Sequence, residues 1–247
     1  MTKKNELTIM VIDTETTGLD LEKDRVIEVG AQKVLLDLDT MEARLHGDAN
    51  WVLINPGMPI RPDASAVHRI TNKFLEDAGA IPYTEAPAWV TEGYLTGVDL
   101  LCAHNAAFDR PMIERLTGTS VLPWICTYRL ARRKYPDTEY GYKNLSLCYQ
   151  LGIDLPEGDA HRAGFDAACT ARLLVKMLSD TKMTLPSKIE DAAAEFARIS
   201  AAPIKLARMP FGKHRGEKFE ALPADYVQWL KGKRFDDEDL NYTIGRL

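Results

Sequence analysis

Through the first half of the chain apolar residues gather in short runs, and through the second half they recur at helical spacing. Residues 7–13, 26–36 and 51–54 are apolar and bounded by polar residues or by Gly and Pro, which predicts three strands. No helical pattern separates them, so they predict an antiparallel meander. Helical stretches follow at 64–78 and 86–95, then a strand at 100–103 and a helix at 106–116. Short helices are expected at 125–135 and 145–151, and a long one at 163–178, rich in Ala and Leu with no Gly or Pro after Gly164. A further helix at 186–199 opens with Pro in its first turn. Strands first and alternation afterwards predict an α/β fold, a mixed sheet with helices on its faces. Ala201, Ala202 and Pro203 mark the expected boundary to a terminal piece. No internal repeat or low-complexity segment interrupts the pattern.

Composition narrows this little. The 247 residues, 45% of them hydrophobic, suit one large domain or one domain with an appendage. A net charge of −5 does not announce a nucleic-acid binder. The charge is uneven, however: residues 1–202 carry −7, residues 203–234 carry +5 and residues 235–247 carry −3. Cys102, Cys126, Cys148 and Cys169 form no C-x-x-C pair and are expected as buried free thiols. Lys3 and Lys4 precede an apolar run too short for a signal peptide or a membrane span, so a cytoplasmic protein without a membrane partner is expected.

The candidate chemistry begins at VIDTETTGL, residues 11–19. A strand's period of two turns Asp13 and Glu15 to one face and Thr14 away, and two carboxylates held that close call for a hard divalent cation. The same Asp-x-Glu spacing recurs at Asp20/Glu22, Asp137/Glu139 and Asp236/Glu238, which read as solvated polar pairs. Asp109 lies in AHNAAFD, after the strand at 100–103, where Asn105 can cap the next helix. There it either complements a helix dipole or serves a site at the strand end. In HRAGFD, His161 and Asp166 would stand about 140° apart if both were helical, so His161 belongs on the loop and Asp166 on the helix. A loop histidine suits a general base.

Asp13, Glu15, Asp109, His161 and Asp166 occur in the order and contexts of the DEDDh 3′→5′ exonuclease superfamily, which this chain resembles over residues 7–180. The superfamily includes polymerase proofreading domains, RNase T and oligoribonuclease. Stretches at residues 67–71, 124–133 and 211–216 carry the resemblance further, toward the exodeoxyribonuclease X branch and its phage-encoded relatives.

The resemblance implies a ribonuclease H-like mixed sheet of five strands flanked by helices. It implies a nuclease domain at 1–183, a connecting helix at 184–202 and a small basic α+β module at 203–247. It implies two Mg²⁺ ions, for which Mn²⁺ would substitute, held by Asp13, Glu15, Asp109 and Asp166. Asp13 would bridge both ions, Glu15 and Asp166 would complete the site of the attacking water, Asp109 would act through water on the second ion, and His161 would be the base. Thr16, Gly18, Leu19, Val67, His68, Asn105 and Phe108 would meet the terminal nucleotide at a 3′ end. DNA is the favoured substrate. An RNase of the same superfamily is the enzymatic alternative, because nothing in the motifs reads a 2′ hydroxyl. A polymerase-bound proofreading subunit is another, although neither Gln150 nor Gln228 opens a clamp-binding peptide, and a homodimer stays open. Lys205, Arg208, Lys213, Arg215 and Lys218 read equally as a phosphate grip and as a solvated face. Phe211, Tyr226 and Trp229 read as the module's own core.

Overall fold

The computed structural model describes residues 5–118, 122–180 and 184–247; Lys3, Lys4 and the expected domain end at residue 183 lie outside them. Strands β1 (Glu6–Thr16), β2 (Val26–Asp37) and β3 (Ala43–Asn55) form the expected antiparallel meander. β3 starts well before the apolar residues 51–54, because its first half is a largely exposed edge with no hydrophobic alternation to betray it. Helices α1 (Pro62–His68) and α2 (Asn72–Asp77) replace the single helix expected at 64–78. The break is at Arg69, whose φ of 62° is left-handed, and Thr71 caps the second helix by accepting from the Phe74 N–H at 3.1 Å.

After β4 (Ile81–Pro82) and α3 (Ala86–Val90), which runs on into a π turn at Thr91–Leu95, come β5 (Leu100–Ala103) and α4 (Ala106–Thr117). Residues 125 and 126, expected as the start of a helix, instead belong to β6 (Trp124–Cys126), which is followed by α5 (Thr127–Lys134). The sheet order is β4-β3-β2-β1-β5-β6, so the mixed sheet has six strands rather than five, the extra one being the two-residue β4. Helices α6 (Asn144–Gln150), α7 (Ala163–Ser179) and α8 (Ile189–Ala201) complete this part. α8 begins three residues after Pro186, which therefore does not occupy its first turn.

Period two along β1 sorts its side chains into two cores. Leu7, Ile9 and Val11 join Leu100, Cys102, Ala171, Leu174, Leu178 and Phe196 on the α7/α8 side. Met10 and Ile12 join Val29, Leu101, Met112, Ile113 and Leu116 on the α4 side. The alternation continues past the last apolar residue: Asp13 and Glu15 extend the row that faces α7, and Thr14 extends the row that faces α4.

One close approach fixes α7 on the sheet. Gly30 pairs with Asp13 across β1 and β2, and a Cβ built on Gly30 would lie 2.0 Å from the Ala163 carbonyl carbon and oxygen. Only hydrogen fits there, so the first turn of α7 lies against the strand backbone.

The terminal segment holds a short 3₁₀ turn at Phe219–Ala221 and helices α9 (Ala224–Lys231) and α10 (Glu238–Ile244). Leu206, Met209, Phe219, Leu222, Leu230, Leu240 and Ile244 form a separate core. Its β content, expected as part of an α+β module, is a single bridge between Arg208 and Lys218. The segment docks on α5 through Asp239, which accepts from Arg129 at 3.1 and 3.2 Å and from the Ile204 N–H at 2.8 Å. All four cysteines are free and buried, as expected. Among the described residues no helix is long and apolar enough to cross a membrane.

Gly30→Ala tests the approach. The methyl group meets backbone, which cannot swing aside, so we expect a loss of about 1–3 kcal/mol in stability by urea denaturation. An unchanged midpoint would show that α7 has room the structure does not give it.

Candidate active site

Three carboxylates meet where β1 ends and α7 begins. Asp13, Glu15 and Asp166 each present an oxygen within 4.8 Å of the others, the one such group of ligating side chains among the described residues. Asp109, in the first turn of α4, stands outside that group and is buried against its other flank. Its Oδ1 accepts the Thr14 hydroxyl at 2.8 Å. Thr14 points away from Asp13 and Glu15, as expected, and in doing so fixes the fourth carboxylate. Asn105 occupies the position before α4 in a left-handed conformation, φ 71°, and makes no side-chain cap.

His161 lies on the loop before α7, and Asp166 in the helix's first turn, as the spacing requires. The His161 ring is exposed and its backbone is left-handed at φ 61°, a conformation costly for a residue with a Cβ. Two bonds hold the loop. Asp166 Oδ2 accepts the His161 N–H at 2.8 Å, and Glu28 accepts the Ala163 N–H at 3.0 Å.

Glu28 was not singled out by motif, although a lone acid inside the apolar run 26–36 was a signal that could have found it. It is 1% exposed and pairs with Glu15 across the β1–β2 ladder. Its carboxylate accepts from Arg162 at 2.7 and 3.2 Å, so the Arg162 guanidinium beside the cluster is already bound to a carboxylate.

The electrostatic consequence is a set of acids that do not ionise easily. Burial, followed by repulsion from Asp109, Asp166 and Glu15, raises Asp13 well above the usual carboxylate range. Burial and then the charge of Asp166 push Glu15 up to about 8. Burial pushes Asp109 up to about 7 against the lowering bond from Thr14, and burial also raises Asp166. All-oxygen donors, partial burial and uncompensated charge are what a hard divalent cation relieves, so the residues present fit a metal site.

Beside the cluster, the turn after β1 carries the other expected groups. Thr16 donates from its hydroxyl to the Gly18 carbonyl at 2.5 Å, and a Cβ at Gly18 would meet Asp24 Oδ2 at 2.4 Å. Leu19 is 80% exposed and Val67 51%, so both present apolar surface to solvent. His68 does not join them: it is buried, with Nδ1 accepting from the Ile70 N–H at 3.0 Å and Nε2 donating to the Thr16 carbonyl at 3.2 Å. It acts as a strut between α1 and the β1 turn. Phe108 is half-buried against the α4-side core.

The other Asp-x-Glu pairs lie outside the cluster, and Asp137 and Glu139 are exposed, as expected, with Asp137 also ion-paired. Asp137 accepts from Arg208 at 2.6 Å and pairs with Lys218 at 3.0 Å.

Comparison with known proteins bears on the sequence and the fold. A family model described as exonuclease (RNase T) matches residues 10–174, and a second, described as "Putative quorum-sensing-regulated virulence factor", matches residues 202–245. Exodeoxyribonuclease 10 of Escherichia coli (strain K12) is 30% identical over 226 residues, 90% of each chain. DNA polymerase III subunit epsilon of Pasteurella multocida is 33% identical over 183 residues, 68% of this chain and 67% of that one. The structure of exonuclease X in complex with 5′ overhanging duplex DNA superposes with a TM-score of 0.57 at 30% identity, covering 76% of this chain and 99% of that one. E. coli exonuclease I in complex with a dA16 oligonucleotide shares the fold at a TM-score of 0.55 and 16% identity, over 71% of this chain and 41% of that one.

The raised acids set a pH dependence. Their folded-state values lie above the unfolded ones, so the native state holds protons that the unfolded chain releases. The stability they contribute is full below the ordinary carboxylate range near 4 and is lost as pH rises through about 8. In EDTA the melting temperature should therefore fall across that window, and added Mg²⁺ should restore most at the alkaline end. A metal effect that did not grow with pH would contradict the site.

Proposed function

The chain belongs to the exonuclease family and is by that membership a phosphodiester hydrolase, and on this premise we propose that it removes nucleotides from free 3′ ends of DNA as 5′-mononucleotides. The carrying observation is the convergence of Asp13, Glu15 and Asp166 at the end of β1, with His161 on the adjoining loop. DNA is favoured because exodeoxyribonuclease 10, similar over 90% of this chain, is by name a deoxyribonuclease. In this reading residues 1–183 perform the chemistry, residues 184–202 connect, and residues 203–247 form an appended module.

Two Mg²⁺ ions, or Mn²⁺ in their place, would supply a lowered water pKa and a neutralised phosphate. Asp13, at the centre of the cluster, would hold both. Glu15 and Asp166 complete the cation site on the α7 side, and Asp109, fixed by Thr14, serves the second ion from the α4 side. His161 takes the proton of the attacking water; its exposed ring on a backbone-anchored loop can reach solvent while staying tied to Asp166. The turn at Thr16 and Gly18, with Leu19 and Val67 exposed beside it, seats the terminal base and sugar.

With 5′-labelled single-stranded DNA and Mg²⁺, a descending ladder of products is expected, and an RNA of the same sequence should be cut more slowly. His161→Gln should slow turnover roughly 10²–10⁴-fold while keeping the Mg²⁺-induced rise in melting temperature. No ladder under any divalent metal would overturn the activity, and near-normal turnover of the variant would remove His161 as base.

A further inference from the structure

Resting on the nuclease reading above, we propose that the terminal module carries a second nucleic-acid site, a stacking platform with cationic borders that grips single-stranded DNA away from the catalytic carboxylates. Trp229 on α9 was expected in the module's core, yet it is 45% exposed and absent from the cluster that Leu206, Met209, Phe219 and Leu230 form. Its ring stacks on Tyr226, with centroids 5.2 Å apart and planes 27° from parallel. Phe235 closes one side at 6.3 Å from Trp229, and His214 packs on Tyr226 at 4.5 Å. A tryptophan held at a fixed angle by aromatic neighbours and left open to water offers a rigid face on which a base can stack without losing conformational freedom.

The surrounding charge selects the ligand. Residues 203–234 carry +5 in a chain whose total is −5. Lys213 stands over the Tyr226 ring at 5.3 Å. Lys213, Arg215, Lys231, Lys233 and Arg234 are exposed and make no ion pair among the described residues. Arg208 and Lys218, in contrast, are held by Asp137. An unpaired lysine over a stacked aromatic pair, with further unpaired cations in the same short segment, matches the alternation of phosphate and base along one strand.

The docking connects this surface to the catalytic end of the sheet. Asp137 lies on the loop between α5 and α6, and in that loop the Tyr142 carbonyl contacts His104 Nε2 at 2.8 Å. His104 follows β5 and immediately precedes Asn105 and the turn of α4 that delivers Asp109. The module is thus braced against the segment that positions one of the four carboxylates.

The test uses the full chain in EDTA, where cutting cannot intervene, and anisotropy of a labelled oligo-dT of about twenty nucleotides, longer than one strand-binding site. Trp229→Ala should weaken binding roughly tenfold, and Trp229→Phe, which keeps a ring, should recover most of it. The double change Lys213→Gln and Arg215→Gln should lower the slope of log affinity against log salt by about 1.4, on the basis of 0.7 per phosphate contact. With Mg²⁺ restored, all variants should hydrolyse a trinucleotide at the wild-type rate. Wild-type affinity and slope in both the Trp229→Ala and the double variant overturn the proposal, as does a Trp229→Phe protein as weak as Trp229→Ala. A wild-type protein that binds oligo-dT through these residues but cuts no DNA would overturn the nuclease reading and leave this surface standing.

Discussion

The missing side chain at Gly30 is the contact on which the rest of the site depends. Asp166 belongs to a helix and Asp13 to a strand, and the two meet only because the backbone at Ala163 and Gly164 lies directly on β2 beside Asp13. Glu28, two residues earlier on the same face, draws in Arg162 and the Ala163 N–H. A gap and an anchor on one strand therefore set both the height and the rotation of the α7 N-terminus. The left-handed backbone at His161 is the cost of turning the chain into that position, and the bond from its N–H to Asp166 holds it there.

Around that contact the charge distribution is lopsided. Asp13, Glu15, Asp109, Asp166 and Glu28 share a neighbourhood with Arg162, and Glu28 has already claimed it. A buried pair of this kind contributes little net stability by itself. Its effect here is positional, since it ties Arg162 to Glu28 and leaves the four candidate ligands, their pKa values raised by burial, ready for an external cation. Unrelieved acids at the end of a buried strand disfavour the folded state, and they persist because the two hydrophobic cores on either side of β1 supply the stability.

Much of this was legible in the residues. The meander, the strand at 100–103 and the helix at 163–178 follow from periodicity, and the loop-then-helix placement of His161 and Asp166 follows from helical geometry. What was hidden depends on distant partners. β6 has three residues and exists because Leu101 and Cys102 pair with Trp124 and Ile125 across twenty-odd residues of chain. The break at Arg69 is a single backbone dihedral invisible to a hydrophobic pattern. Glu28 carried a readable anomaly, an acid in a buried run, but its role needed the position of Arg162. Thr14 was rightly turned away from its neighbours, while the carboxylate it meets lies 95 residues on.

The two cores that divide along β1 also act on the site mechanically. Asp166 rides with the layer of Leu174 and Phe196, Asp109 rides with the layer of Met112 and Ile113, and Asp13 is fixed to the sheet between them. The separation between the acids is therefore a readout of how each helical layer is seated, as the gap of a caliper reports on its jaws. Substitutions deep in either layer, among residues with no polar atom, would alter the spacing of the acids, and the two layers could do so independently of one another.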